Sequence, residues 1–220
     1  SLEQITIPFS VTSINNGVFY GCSSLKEIEI PSSVTSIGNN AFYDCLSLEK
    51  ITIPSSVVSF GKEVFEGVIS LEIKGSIQSI PRHLFNLCSS IERIVFSSSV
   101  TSIDRNAFDN CISLEQVIIQ SPLTSIEPYT FYGCISLENI SIPSSVTSIG
   151  RCAFSGCSSI ESIEIPSSVT SIASSAFNQC QSLKQISIPS SVTTIGNRAF
   201  YMCRCLKQVI IPNSVILIGV

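Results

Sequence analysis

The sequence is short of the residues that most active sites require. It contains no tryptophan, one methionine and one histidine in 220 residues, and only 13% of its residues are charged. An enzyme needs titratable groups that converge in a pocket, whereas these few charges are spread along the chain without a glycine-rich phosphate loop. We therefore expect neither an enzyme nor a cofactor, and we interpret the only histidine, His83, as a solvated residue at the start of a helix.

Long apolar runs are also missing. No stretch of about 18 apolar residues could cross a membrane, and the first residues do not combine a basic segment with an apolar one, as a secretion signal would. The net charge of -4 argues against a nucleic-acid partner, because it repels phosphate backbones. At 44% hydrophobic residues, the chain does not have the composition of a disordered protein either.

A repeat dominates what is present, and residues 30–48, which read IPSSVTSIGNNAFYDCLSL, represent it. Steps of 23 residues, interrupted by a single step of 20, separate nine phenylalanines: Phe19, Phe42, Phe65, Phe85, Phe108, Phe131, Phe154, Phe177 and Phe200. A fixed period of this length predicts a solenoid whose stacked units share one core. We expect a single domain over residues 1–220 with nine to ten repeats. Both ends fall inside a repeat, which favours a fragment of a longer protein and end-to-end self-association.

Each repeat divides into three sides. Leu25, Ile28 and Ile30 alternate as in a short strand, which ends at a proline because proline cannot donate to a ladder. Residues 34–37 predict a second short strand, and residues 39–45 place Ala41, Phe42 and Cys45 at helical spacing. The fold class predicted from these patterns is an α/β repeat, a solenoid with parallel strands and helical turns.

Ten cysteines raise the question of disulfides or metal binding. Eight of them follow the repeat phenylalanine by three residues, and Val68 takes the same place in a ninth copy. A position that accepts valine favours a small apolar side chain, so we interpret this column as reduced, buried thiols rather than bridges. Cys152 and Cys205 lie outside the column and are the candidates for oxidation. No cysteine spacing predicts a metal site.

The pattern LxxIxIPxxVTxIGxxAFxxC, clearest in residues 25–45 and 137–157, resembles the leucine-rich repeats of the BspA-like, or Treponema pallidum-type, family. The resemblance covers essentially the whole chain. It implies a curved solenoid with a parallel β-sheet on its concave side. It also implies a surface protein of mucosal bacteria or parasitic protists that binds host matrix or cell-surface proteins. No catalytic or binding residue is transferred by the resemblance.

Candidate partner-binding residues lie where the copies differ. Val95 and Ile118 are apolar at outward positions of neighbouring strands, beside the polar Arg93 and Gln116. An apolar pair with a polar rim is typical of a contact patch, although short strands also carry single outward apolar residues for no functional reason. The column containing Arg93 and Gln116 also includes Lys50 and Asn139, the latter in an Asn-Ile-Ser glycosylation sequon, a three-residue match that is common by chance.

Two further features are ambiguous. Four tyrosines, Tyr20, Tyr43, Tyr132 and Tyr201, directly follow a repeat phenylalanine; they are either contact residues or edge residues of the core with wet hydroxyls. The unit between Val68 and Ile80 is three residues short, and its proline corner is replaced by Lys74 and Gly75. This irregularity either shapes a binding notch or is tolerated drift.

Three functional hypotheses follow. The first is a non-catalytic protein-binding module for adhesion at a cell surface. The second is an intracellular interaction scaffold, because reduced cysteines are typical of the cytosol. The third is a structural repeat of a surface coat. A protein partner is expected in the first two cases.

Overall fold

The computed structural model describes residues 2–82 and 84–219 and consists of stacked coils, one for each repeat. The first side of the coils carries eight strands: β2 (Glu27–Glu29), β4 (Lys50–Ile53), β6 (Ser70–Gly75), β8 (Arg93–Phe96), β10 (Gln116–Ile119), β12 (Asn139–Ile140), β14 (Ser162–Glu164) and β16 (Gln185–Ser187). The second side carries ten: β1 (Ser13–Ile14), β3 (Ser36–Ile37), β5 (Ser59–Phe60), β7 (Ser79–Ile80), β9 (Ser102–Ile103), β11 (Ser125–Ile126), β13 (Ser148–Ile149), β15 (Ser171–Ile172), β17 (Thr194–Ile195) and β18 (Leu217–Ile218).

All strand pairs are parallel, as in a solenoid whose chain advances by one coil per turn. On the first side, β2, β4, β6, β8, β10 and β12 form a six-stranded sheet, followed by the pair β14 and β16. On the second side the strands form three sheets, with interruptions between β5 and β7 and between β9 and β11. The two predicted strand sets are therefore confirmed, and the fold is a parallel β-solenoid.

The predicted helical turns, and with them the α/β class, are not confirmed, because the described residues contain no helix. The third side is instead a chain of turns in which two residues of most coils have positive φ, two positions before and two after the phenylalanine. Around Phe42 these are Asn40 (φ 55°) and Asp44 (φ 55°). An α-helix requires right-handed dihedrals throughout, so two left-handed residues in five exclude it.

This turn side has its own hydrogen-bond ladder between coils. The N–H groups of Gly17, Phe19 and Gly21 donate to carbonyl oxygens of the next coil, and the Phe19 bond to Ala41 measures 3.0 Å. The two left-handed residues and the phenylalanine between them all donate to the following coil, so these bonds point towards the C-terminus. Most coils are thus bonded to their neighbours through turns as well as strands.

The core is a continuous column of phenylalanines and thiols. Successive repeat phenylalanines stack with ring centroids 5.1–5.8 Å apart along the whole series. All ten cysteines are free, and six of the column members are buried. The buried thiols also donate to the carbonyl oxygen of a preceding phenylalanine, as Cys134 does to Phe108 at 3.1 Å. The column of buried, reduced thiols is therefore confirmed, and it has a hydrogen-bonding role that the sequence did not indicate.

The short coil, residues 69–88, changes the sheet register. Residues of β6 follow their partners in β4 by 22 residues, as Gly75 follows Ile53, and Ile77 follows Val57 by only 20, so two of the three missing residues lie between Gly75 and Ile77. The chain turns there at Gly75, which has φ 98° and follows no proline. A Cβ on Gly75 would overlap the carbonyl oxygen of Ile53 in the preceding coil. The corner therefore requires glycine for two reasons: its φ is positive, and the backbone of the preceding coil leaves no room for a Cβ atom.

Replacing Gly75 by alanine is expected to lower the free energy of unfolding by about 3 kcal/mol, since the positive φ and the overlap with Ile53 both oppose a side chain. Gly21→Ala is the matched control, because Gly21 also has positive φ (70°) but a Cβ there would meet open space. That variant should lose only about 1 kcal/mol. Urea unfolding of the two variants measures the difference, and equal losses would contradict the close approach at Gly75.

Candidate functional site

The outward residues of β4, β6, β8 and β10 form the surface that we call the central face: Lys50, Thr52, Glu72, Lys74, Arg93, Val95, Gln116 and Ile118. Successive residues of a strand point to opposite sides of a sheet. In β8, Ile94 and Phe96 are buried in the core, so Arg93 and Val95 point outward between them. The same alternation holds in β10, where Val117 is in the core.

The short coil moves the columns of this face by two residues. Lys50 pairs with Glu72, and Glu72 pairs with Val95 on the other side of β6. Val95 in turn pairs with Ile118. The repeat pattern places Lys50 in the same column as Arg93, and that prediction is wrong. The β4–β6 register spans 22 residues and the β6–β8 register spans 23, so Lys50 aligns with Val95, two residues beyond Arg93.

The predicted neighbours Val95 and Ile118 are thus confirmed as neighbours, but Val95 is not exposed. Its side chain is only 5% accessible, although it points away from the core. Glu72 and Ile118 stand in register on its two sides and restrict its access to water. Ile118 is half-buried and remains the accessible apolar residue of the pair.

Polar contacts fix the rim of the central face. The Arg93 Nε donates to Gln116 Oε1 at 3.0 Å, so these two predicted residues lie together. Glu72 and Lys74, which the repeat alignment had not included, form an ion pair at 3.5 Å within β6. The signal that could have found them is the alternation of Leu71, Ile73 and the polar residues between them. Charge of both signs therefore flanks the apolar centre.

A cavity of about 530 Å³ continues this face towards the N-terminus. Glu27, Glu29, Lys50 and Lys74 are among its lining residues, together with Phe9, whose side chain is 75% exposed. The outward surface of the first-side sheet thus combines charged, polar and apolar groups from β2 to β10.

The predicted tyrosines lie on the turn side and do not join the central face. Tyr20 and Tyr43 stack with centroids 4.9 Å apart and an interplanar angle of 2°. Tyr132 packs edge-to-face on Tyr129, and Arg198 lies 5.9 Å from the ring centroid of Tyr201. The eight predicted residues therefore form two separate groups. Partial burial, followed by the charge of Asp44, raises the pKa of Tyr43.

Burial makes most thiols of the core column unreactive. Burial raises the pKa of Cys45 and of Cys88 to about 12, and burial also raises the pKa of Cys134 and Cys157. A protonated thiol is neither a nucleophile nor a metal ligand. In residues 2–82 and 84–219, no group of three or more histidine, cysteine, aspartate or glutamate side chains is placed to hold a metal ion. His83 lies outside the described residues.

Comparison with known proteins agrees with this architecture. The family model for the BspA type leucine rich repeat region, with six copies, matches residues 1–115 and 101–220. No curated protein sequence matches the chain. The described part of the chain has no helix long and apolar enough to span a membrane.

Solved structures with the same fold come from bacteria. A leucine-rich repeat protein from Bacteroides ovatus is 30% identical with a TM-score of 0.75, and the alignment covers 99% of this chain and 60% of that one. The T. pallidum leucine rich repeat protein is 26% identical with a TM-score of 0.60, covering 89% and 83%. The pneumococcal vaccine antigen PcpA, 21% identical with a TM-score of 0.53, covers 94% and 58% and shares the fold. The chain spans about three fifths of the B. ovatus structure.

Proposed function

Because the chain belongs to the BspA-type leucine-rich repeat family, we propose that it is a non-catalytic scaffold that binds a protein partner through its central face at a cell surface. Repeats of this family are generally non-enzymatic interaction scaffolds. The observation that carries the proposal is the register shift at β6, which brings Glu72, Val95 and Ile118 into one row. The partner in this proposal is a host matrix or cell-surface protein.

The chemistry of the row supports a protein partner. Ile118 offers partly accessible apolar surface, while the Glu72–Lys74 ion pair and the Arg93–Gln116 hydrogen bond provide polar groups around it. Protein interfaces combine such an apolar centre with a polar rim. These side chains are held on paired strands rather than on loops, so little conformational entropy is lost when a partner orders them. In this proposal the first-side sheet lines the concave side of the solenoid.

A second candidate is an intracellular scaffold, and the ten free cysteines favour it. Disulfides form in extracellular compartments, so a chain that keeps every thiol reduced suits the cytosol. Burial weakens that argument, because six of the eight column thiols are buried and burial raises the pKa of Cys45 and Cys88 to about 12, which disfavours their reactive thiolate form. The surface location therefore remains the first proposal.

End-to-end self-association, as in a surface coat, is the remaining part of the proposal. The strand β18 exposes Leu217 and Ile218, and Ile216 beside it is also exposed. An open strand edge is a template for pairing with another chain. Sedimentation velocity over a range of concentrations measures this association, and a monomer at every concentration would contradict it.

Binding to immobilised fibronectin and fibrinogen tests the central face. Ile118→Glu is expected to reduce saturable binding about tenfold or more, because a carboxylate would be placed at the apolar centre of the interface. Ile135→Glu is the matched control, since Ile135 is an exposed isoleucine on a coil corner away from the central face. Substituting Val95 is less informative, because a charge at a buried position would also disturb folding.

The outcomes separate the two candidate functions. Binding that is lost in Ile118→Glu and kept in Ile135→Glu supports the central face. Equal binding by both variants excludes that face, and an absence of binding by the unaltered chain to either matrix protein contradicts the adhesion proposal and favours the intracellular scaffold. Circular dichroism of each variant verifies that the fold is retained.

A further inference from the structure

Backbone hydrogen bonding between coils is reduced where residues 46–68 meet the short coil. The second-side sheet is interrupted there, between β5 and β7. The turn ladder is interrupted at the same interface: the Phe65 N–H has no backbone acceptor among the described residues, and the Gly67 N–H donates to Ser90 Oγ at 2.8 Å instead. The phenylalanine stack nevertheless continues, with Phe65 and Phe85 5.4 Å apart. Regular backbone hydrogen bonding between the two coils is therefore interrupted on two of the three sides, whereas the phenylalanine core is continuous.

The turn side of this interface contains a cavity of about 600 Å³, which we call the turn cleft. It is lined by Tyr43, Lys62, Glu63, Glu66, Asn86 and Leu87. Leu87 has a positive φ of 62° and its side chain is 65% exposed. A leucine seldom adopts this conformation. The cleft thus has an apolar wall in addition to the aromatic ring of Tyr43.

Tyr43 presents one ring face to the cleft. Its other face stacks on Tyr20 in the preceding coil, with an angle of 2° between the planes. The open face therefore points to the next coil, where Glu66 holds the position equivalent to Tyr43, directly after the repeat phenylalanine. An aromatic face attracts a cation that lies within about 6 Å of its centre.

Two carboxylates beside this ring are held in place. Glu66 accepts hydrogen bonds from the Ser89 hydroxyl at 2.7 Å and the Ser89 N–H at 3.1 Å. Glu63 Oε2 accepts from Asn40 Nδ2 at 3.1 Å. Within residues 2–82 and 84–219, neither carboxylate has a lysine or arginine nitrogen within 4.0 Å; the ion pairs there are Glu72–Lys74 and Glu161–Lys184.

The chain itself contains the corresponding cation–aromatic pair in another coil. Arg198 stands two residues before its repeat phenylalanine, Tyr201 stands one residue after it, and the guanidinium carbon lies 5.9 Å from the ring centroid. Around Phe42 the same two positions are occupied by Asn40 and Tyr43. The turn geometry is therefore compatible with a cation over the tyrosine, but at Tyr43 the coil supplies an amide instead.

We propose that the turn cleft binds an arginine side chain of a partner protein, with the guanidinium over Tyr43 and its N–H groups donated to Glu63 and Glu66. A planar guanidinium suits this site better than an ammonium, because it can stack on the ring and bond a carboxylate at its edge. Leu87 packs against the methylene stem of the arginine. This inference rests on the proposed protein-binding role but uses the turn side of the coil, which is separate from the central face.

Titration with Nα-acetylarginine amide tests the cleft, with the neutral Nα-acetylcitrulline amide as its matched ligand. Saturable amide chemical-shift changes at residues 43, 63, 66 and 87 are expected with the arginine compound, and about tenfold weaker binding with the citrulline compound, which has no charge for the ring and carboxylates to attract. Equal affinity for the two compounds, or the absence of shifts at these residues, would overturn the proposal.

Three variants assign the effect to the ring. Tyr43→Leu should weaken arginine binding about fivefold, while Tyr43→Phe should bind within about twofold of the unaltered chain because it keeps the aromatic face. Tyr132→Leu, at the equivalent position of a regular coil, should bind unchanged. A loss in Tyr43→Phe as large as that in Tyr43→Leu would contradict the stacked geometry. Ile118→Glu should retain arginine binding, so that failure of the central face and failure of the cleft give different results.

Discussion

Phe108→Ala is expected to lower the free energy of unfolding by about 3 to 5 kcal/mol, because it leaves a cavity in a fully buried column. Phe108 stacks between Phe85 at 5.1 Å and Phe131 at 5.4 Å, and Phe96 meets it edge-on at 5.8 Å. No neighbouring element can move into the space without breaking the ladders on its other sides. Denaturant unfolding followed by circular dichroism measures the loss.

Phe9→Ala is the control, since the ring of Phe9 is mostly exposed and its removal should change stability by less than about 0.5 kcal/mol. Loss of the Phe108 ring also divides the phenylalanine column into two shorter columns. Because each coil is stabilised mainly by its two neighbours, a broadened or two-step transition is expected in this variant. A cost near that of Phe9→Ala would show that the phenylalanine column does not stabilise the stack.

Alkaline pH is expected to destabilise the protein steeply, owing to the thiol column. Burial raises the folded-state pKa of Cys45, Cys88, Cys111, Cys134 and Cys157 above the ordinary value of 9.0. The unfolded chain therefore releases these protons first as the pH rises. The stabilisation is complete below pH 9 and is lost between pH 9 and about 12, where Cys45 and Cys88 titrate in the folded state.

Each thiol that is ionised in the unfolded chain and still protonated in the folded protein contributes a slope of up to about 1.4 kcal/mol per pH unit. Urea midpoints between pH 8 and pH 10.5 measure the slope. The double variant Cys45→Val, Cys88→Val should have a clearly smaller slope, and Val68 shows that the column accepts valine. Cys205→Val, at an exposed position, should leave the slope unchanged. Identical slopes in all three proteins would contradict the assignment to buried thiols.

Much of the core could be predicted from the sequence. The repeat phenylalanines and the cysteines three residues later recur at a fixed period, and a side chain that recurs in this way must face the same environment in each coil. The structure confirms both columns, and Val68 is fully buried among the thiols. The alternating residues of the strands were predicted for the same reason, because period two distinguishes inward from outward side chains without any knowledge of the neighbours.

The turn side was predicted less well. Helical spacing of Ala41, Phe42 and Cys45 is a real pattern, but it is also satisfied by consecutive turns with left-handed residues. Asn40 and Asp44 were the available signal, because asparagine, aspartate and glycine tolerate positive φ. A helix of one or two turns has few hydrogen bonds of its own. The ladder between coils offers the same N–H groups better partners.

The candidate site was also predicted only in part. By itself, the sequence determined that Val95, Ile118, Arg93 and Gln116 stand on neighbouring outward positions, and the tyrosine column followed from the position after the phenylalanine. Only the tertiary structure decided that Lys50 aligns with Glu72 and Val95, that Val95 is covered, and that a cleft opens beside Tyr43. Side-chain chemistry at a fixed period determines what each coil buries. Register across a shortened coil depends instead on which hydrogen bonds two adjacent coils can form together, and no single repeat contains that information.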